Sequence, residues 1–227
     1  MTGAATIIAL VPARNEAATV AATVRALRAS VDQVVVVDDA SSDGTASLAL
    51  GAGATVLRIR SQAGKGAAME GALTRLPPHP GVWLFADADL GVSAAGLAKL
   101  LPPVLDGRAD MAIAGFPPQG GGGLGTVKRF SSLGIKVLSG YGAGEPLSGQ
   151  RVLSAACLAA VRPLAGGFGM ETAMTIDAVR RGFRIVEVPV AGLTHRSTGR
   201  GLPGFAHRGK EGLHIARAIG ARAVRLR

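Results

Sequence analysis

Two carboxylates one residue apart, Asp87 and Asp89 with Ala88 between them, directly follow the apolar run Val82-Trp83-Leu84-Phe85-Ala86. A run of that length and type reads as a buried strand. The pair therefore emerges at the strand's carboxyl end, where open α/β sheets place their ligands. Paired carboxylates there suit a hard divalent cation, Mg²⁺ or Mn²⁺, which takes oxygen ligands and can offset the charge of a diphosphate. The chemistry suggested is transfer from a nucleoside-diphosphate donor. A helix-capping Asp beside a solvent-exposed one would give the same letters, so the decision falls to the rest of the chain.

Three other strand ends carry polar groups. The first is Val11-Pro12-Ala13-Arg14-Asn15-Glu16, the second Val37-Asp38-Asp39-Ala40-Ser41-Ser42-Asp43-Gly44-Thr45, and the third is followed by Gly64-Lys65-Gly66. Acids and amides at adjacent strand tips can read a base and a ribose, and a lysine beside glycine backbone can meet phosphates. Gly64-Lys65-Gly66 is not a Walker loop, because the lysine is followed by Gly66 rather than Ser or Thr. It reads either as a plain turn or as a phosphate-facing one.

Strands and helices alternate around these groups. Strands are expected at Thr6–Val11, Val34–Val37, Thr55–Ile59, Val82–Ala86 and Met111–Ala114. Helices are expected at Glu16–Ala29 with Asn15 as N-cap, at Thr45 to about Leu50, at Gly66–Leu76, and from a Ser93 cap to Pro102-Pro103. Repeated β-α units predict a parallel sheet with right-handed crossovers. Pro117–Gly125, with four consecutive glycines, reads as a loop that either covers a site or simply connects. Beyond it, the pattern predicts helices at Thr126–Leu138 and Gly169–Arg181, and strands at Gln150–Leu153 and Phe183–Val190. A second glycine-rich loop, Gly192–Gly204, carries His195, and a basic amphipathic helix follows at about Ala206–Ala218.

A chain of 227 residues that is 48% hydrophobic can bury one large core. Its apolar runs are strand-sized, too short for a membrane span, and no basic region precedes an apolar leader. The single cysteine, Cys157, excludes an internal disulfide and multi-cysteine metal sites, and its apolar surroundings make it a core residue. These features predict a cytoplasmic protein. Net charge is +10, and residues 196–227 carry eight Lys/Arg against one acid, Glu211. That segment reads either as a solvated helix face or as a surface for an anionic partner. With Phe205, Leu213 and Ile215 among its basic residues, weak peripheral contact with a membrane surface is one such use. Nucleic acid is not expected as a partner, since one Tyr and one Trp leave little for base stacking. A homodimer is left open. His79 reads as a surface residue, and His207 and His214 as solvated.

The succession of strand ends resembles family 2 glycosyltransferases of the GT-A fold, most specifically in Val11–Glu16, Val37–Thr45 and Asp87–Asp89. Looser matches are Ser148-Gly149-Gln150-Arg151, Gly169-Met170-Glu171 and Gly182–Val190. These resemble the second half of polyprenyl-phosphate sugar transferases and, with His195, glucosyl-3-phosphoglycerate synthases. The resemblance implies a single α/β domain over 1–227, a mostly parallel mixed sheet flanked by helices. Residues 1–115 would bind a UDP- or GDP-sugar, and 116–227 would build the acceptor side. It assigns Pro12, Ala13, Glu16, Asp38 and Asp39 to the nucleoside, Lys65 to the base or diphosphate, and Asp87 with Ala88 to the ribose or metal. Asp89 would hold the metal, with His195 as a further ligand. Glu171 reads as catalytic or as a first-turn acid favoured by the helix dipole. Arg129, Gln150 and Arg151 are acceptor candidates, the two arginines equally readable as structural ion pairs. The acceptor would be a polyprenyl phosphate or a small phosphorylated acid. The rival activity is sugar-phosphate nucleotidyl transfer, which usually needs a glycine-rich loop after the first strand, and Pro12–Glu16 has no glycine. A non-catalytic nucleic-acid binder ranks below it.

Overall fold

The computed structural model describes residues 5–60, 62–115, 124–193 and 202–224. Seven strands form one sheet in the order β3-β2-β1-β4-β6-β5-β7. They are β1 (Ile7–Ala13), β2 (Gln33–Asp39), β3 (Thr55–Ile59), β4 (Val82–Phe85), β5 (Met111–Gly115), β6 (Arg151–Ser154) and β7 (Ile185–Pro189). All neighbours are parallel except β6, which runs against both β4 and β5. The predicted mixed, mostly parallel sheet of one α/β domain is what forms. The chain order reverses between β1 and β4, the switch point where such sheets bind ligands.

The core lies on both faces, and the period-two geometry of a strand explains how. Val34 and Val36 of β2 join one apolar layer with Val11, Leu84 and Leu97. Val35 and Val37 join the other with Leu10, Phe85, Met69 and Met174. Strands buried on both faces read as unbroken apolar runs, which is why β1, β2 and β4 were legible.

The helices are α1 (Val20–Arg28), α2 (Thr45–Gly51), α3 (Lys65–Arg75), α4 (Leu101–Leu105), α5 (Leu124–Ser139), α6 (Ala155–Val161), α7 (Met170–Arg180) and α8 (Leu202–Val224). Several differ from expectation. Asn15 does not cap α1. It has left-handed backbone, φ 53°, and the helix starts after Thr19. Ser93 does not cap an α-helix: Gly91–Leu100 is a 3-10 stretch, and the Ser93 hydroxyl donates back to the Leu90 carbonyl at 2.6 Å. Pro102-Pro103 does not end that helix but opens α4, where proline's missing N–H is harmless. β7 begins at Ile185, two residues after Phe183.

At the chain's end, α8 is longer than expected, and Leu202–Gly204 is helical rather than loop. It packs on α5 and α7 and buries Ile215, Ala218 and Arg222. Ile215 is therefore a core residue, unavailable to a surface. The Pro117–Gly125 loop up to Gly123, and residues 194–201 of Gly192–Gly204 with His195, lie outside the described residues, as do the side chains of Phe205 and His207. His79 is not a free surface residue: its ring bonds the Thr6 carbonyl at 2.9 Å and meets Trp83 edge-on. Cys157 is buried as expected, and burial pushes its thiol up to about 12. No helix among the described residues is long and apolar enough to cross a membrane.

Candidate active site

The loops after β1 and β2 are laced together by short side chains. Backbone N–H groups of Asn15, Glu16 and Ala17 donate to Ser41 Oγ (3.0 Å), Thr45 Oγ1 (2.8 Å) and Asp43 Oδ2 (3.2 Å). In return the Ser42 N–H donates to Asn15 Oδ1 at 2.9 Å. These bonds satisfy amides that a helix starting at Glu16 would have left orphaned, which is why α1 begins later. The Thr45 hydroxyl in turn holds the Asp43 carboxyl below its ordinary range. Pro12 and Ala13 stand at the tip of β1, in register with Val37 and Asp38 of β2.

The two acids of β2 differ in use. Asp38 is fully buried and accepts from Ser41 N and from Arg58 Nε at 3.0 Å. Its expected part in nucleoside binding gives way to anchoring the loop and the neighbouring strand. Asp39 accepts the N–H groups of Ala63 (2.8 Å) and Gly64 (2.9 Å). Gly64 has φ 80°, a conformation suited to glycine, and leads directly into α3 at Lys65. Asp39 thus sets the position of Lys65.

Lys65 is the hub. Its ammonium lies 2.7 Å from Asp87 Oδ1 and 2.9 Å from Glu171 Oε1. Burial pulls its pKa down, but the two carboxylates outweigh that and leave it raised. The other Asp87 oxygen accepts from Gln150 Nε2 at 2.6 Å, and Gln150 Oε1 accepts from Ser148 Oγ at 3.3 Å. The close approach requires Gly149, because a Cβ there would stand 2.9 Å from Asp87 Oδ2. Four sequence candidates, Lys65, Asp87, Gln150 and Glu171, are therefore one hydrogen-bonded chain. Glu171 is not a mere first-turn acid, since it is buried and ion-paired. Gln150 is buried as well, and it orients Asp87.

This arrangement bears on the metal. The Lys65 ammonium and the Gln150 amide fix the orientation of the Asp87 carboxylate, and each oxygen keeps a further lone pair, so the expected ribose or metal role stays compatible with these contacts. Asp89 is half-buried on the turn that follows. That turn is clamped to α1 by Thr23, whose buried hydroxyl donates to the Ala88 carbonyl (2.9 Å) and accepts from the Gly91 N–H (2.8 Å). A hard cation that keeps several waters needs only one or two protein carboxylates beside a diphosphate. Asp89 fits that demand. Among the described residues no three His, Cys, Asp or Glu side chains converge as a fuller set.

Arg151 corrects the acceptor reading. It is fully buried, and its guanidinium bonds the Ser148 carbonyl (2.8 Å), the Pro146 carbonyl (3.3 Å), Thr175 Oγ1 (2.9 Å) and Met111 Sδ. All four partners are neutral, and burial lowers its pKa to about 10. It is too deep to meet an acceptor and forms no ion pair among the described residues; it fixes the 146–148 segment. Glu187 holds the same segment further back, through the Gly144 N–H at 2.8 Å. Arg129 is exposed on α5 and lines an open cleft of about 500 Å³ with Lys128, Ser132 and Lys136. No contact among the described residues joins it to Lys65.

Sequence reasoning missed Thr23, Ser41 and Thr45 as residues that position the site. A Ser/Thr/Asp cluster after a strand is a signal for such side-chain-to-backbone bonds. Thr23, in the middle of a helix, carried none.

Comparison with known proteins gives a consistent picture. The family described as Glycosyl transferase family 2 matches residues 8–143. Glycosyltransferase AglJ of Haloferax volcanii is 30% identical over 185 residues, covering 79% of this chain and 60% of that protein. Glucosyl-3-phosphoglycerate synthase of Mycolicibacterium smegmatis is 28% identical over 212 residues, covering 78% and 65% respectively. The chain thus spans less than two thirds of the length of both relatives. Among solved structures, glucosyl-3-phosphoglycerate synthase of Mycobacterium tuberculosis in complex with Mn²⁺, UDP and glucosyl-3-phosphoglycerate is 25% identical. It superposes with a TM-score of 0.81 over 96% of this chain and 80% of that one. Its complex with Mn²⁺, UDP-glucose and phosphoglyceric acid gives a TM-score of 0.80 at 24% identity, over 96% and 79%.

Proposed function

The chain belongs to glycosyltransferase family 2, and from that premise we propose that it moves a sugar from a UDP- or GDP-sugar onto an anionic, phosphorylated acceptor. The observation that carries this reading is the meeting on Lys65 of Asp87, from the tip of β4, and Glu171, from the start of α7. One carboxylate comes from each half of the chain, beside the switch point of the sheet. Donor and acceptor would lie on either side of that ammonium.

In this reading, the laced loops around Pro12, Ala13 and Glu16 form the wall against which the nucleoside lies. Asp39 holds Lys65 through the Ala63–Gly64 turn. Lys65 and Gln150 keep the Asp87 carboxylate fixed toward the ribose. Glu171, held by the same ammonium, accepts a hydrogen bond from the acceptor's hydroxyl. Asp89 would hold Mg²⁺ or Mn²⁺, with His195 as the expected further ligand. Bound there, the ion would offset the charge that develops on the departing diphosphate. The M. tuberculosis synthase complexes, with their Mn²⁺, UDP-glucose and phosphoglyceric acid, favour a small phosphorylated acid as acceptor over a polyprenyl phosphate.

The test is a donor-hydrolysis screen, which needs no acceptor. UDP- and GDP-sugars are incubated with the full chain and Mg²⁺, Mn²⁺ or EDTA, and free nucleoside diphosphate is measured. Release that requires the metal and accelerates with phosphoglycerate is expected; acceleration by a polyprenyl phosphate instead would move the acceptor to a lipid. Pyrophosphate release from a nucleoside triphosphate and a sugar phosphate, with no hydrolysis of any nucleotide sugar, would replace the reading by nucleotidyl transfer.

A further inference from the structure

Nine large apolar side chains are exposed among the described residues, and five of them lie on two helices that pack side by side. On α5 these are Phe130, Leu133 and Val137, exposed by 45%, 61% and 73%. Their spacing of three and then four puts them on one helical face. On α8 they are Leu213 and Val224, which share a face with Arg217 between them. The helices touch where Gly134 meets Ile219. The exposed charges on this face among the described residues are cationic. α5 carries Lys128, which Glu145 pairs at 2.9 Å, and the exposed Arg129 and Lys136. On α8, Arg217 is exposed while Arg222 turns inward to Asp177.

We propose that this face of α5 and α8 docks on an anionic lipid surface. A helix with an apolar stripe and a cationic flank lies in a membrane interface by burying the stripe and setting the cations among acidic headgroups. A second copy of the chain fits less well, because a two-fold contact would set Arg129 and Lys136 against their own like charges. A nucleic acid would use the cations and leave the stripe in water. The opposite, buried face of the same helix reaches toward the candidate site: Ser131 of α5 bonds Thr172, the residue after Glu171, at 2.6 Å.

The experiment is co-sedimentation of the full chain with phosphatidylcholine vesicles, with and without phosphatidylglycerol, at low and high salt. It involves no sugar, so it fails or succeeds independently of the transfer reading. Binding only to the anionic vesicles, weakened by salt, is expected. The double substitution Leu133→Asp with Val137→Asp should lower partitioning roughly tenfold or more, since it removes apolar burial and adds like charge to the lipid. Both side chains are exposed, so circular dichroism and the thermal midpoint should be unchanged. If the double variant does not fold, Lys136→Glu carries the test, with weaker binding expected. Absence of binding at low salt would overturn the proposal, as would binding that neither variant weakens. A dimer of the parent chain that the double variant converts to monomer would assign the face to a second copy instead.

Discussion

The two halves of the molecule hold their site residues by different means. Up to β4, the loops are fixed by Ser, Thr, Asn and Asp side chains that bond nearby backbone, as Ser41, Thr45 and Asp39 do. Each such bond contributes about 0.5–1.5 kcal/mol, and the lattice is redundant. Beyond β5, a few long charged side chains reach across elements: Arg151 to the 146–148 segment, Arg180 to the Leu138 and Arg222 carbonyls, and Arg222 to Asp177. Redundancy tolerates the loss of one member, whereas a buried ion does not.

The largest effect should follow from breaking the second kind. Arg222 and Asp177 are both about nine-tenths buried. Removing one partner of a buried pair costs about 3–5 kcal/mol, and without Arg222 Asp177 keeps only the longer contact with half-exposed Arg181 at 3.8 Å. Arg222→Met should lower unfolding free energy in urea by that order, and adding Asp177→Leu should recover much of it. If Arg222→Met alone is neutral, the contrast between the halves fails.

Next in size is a chemical effect without a stability effect. Asp89→Asn keeps shape but removes the charge that a cation needs, and should lower metal-dependent donor hydrolysis roughly 10²–10³-fold, the range typical of losing one electrostatic stabiliser. The thermal midpoint should stay close to that of the parent.

Smaller again is Thr23→Val. It leaves the Ala88 carbonyl and the Gly91 N–H without their hydroxyl, at a cost of about 1–3 kcal/mol. The sharper readout is the Mn²⁺ concentration for half-maximal hydrolysis, which should rise with Thr23→Val and return with Thr23→Ser. Equal metal dependence of all three chains would make Thr23 purely structural.

The smallest effect is in pH dependence. Burial raises the Glu70 pKa, but hydrogen bonds from Arg162 and the Leu164 N–H outweigh it and hold it below its ordinary 4.5. Its stabilisation is therefore complete above 4.5 and fades as pH falls through the lower folded value. Glu70→Gln should lower the melting temperature at neutral pH, and the two curves should converge in acid.

What the sequence disclosed follows the same division. Val82–Ala86 and Val34–Val37 were legible because strands buried on both faces leave unbroken apolar runs. Asp87–Asp89 and the Asp38–Thr45 loop were legible because short polar residues at strand ends act locally. The rest depends on distant partners. Thr23 meets Ala88 across 65 positions, and nothing near Thr23 marks it. Arg151 and Gln150 sit in a motif that reads as polar, yet both are buried because β6 enters the sheet there. The interface reading of Ile215 failed because helical spacing shows that a face is apolar, not what covers it.

The reversed strand β6 has a consequence for how the molecule is made. It fills the gap between β4 and β5, which are not otherwise neighbours. During synthesis β4 must wait as an open sheet edge, with unpaired backbone groups, until Arg151–Ser154 has left the ribosome. Open edges invite pairing with other chains. Residues 1–115 therefore hold β1 to β5 but not a finished sheet, and a fragment ending there would be prone to aggregate. The two parts of the chain belong to a single folding unit.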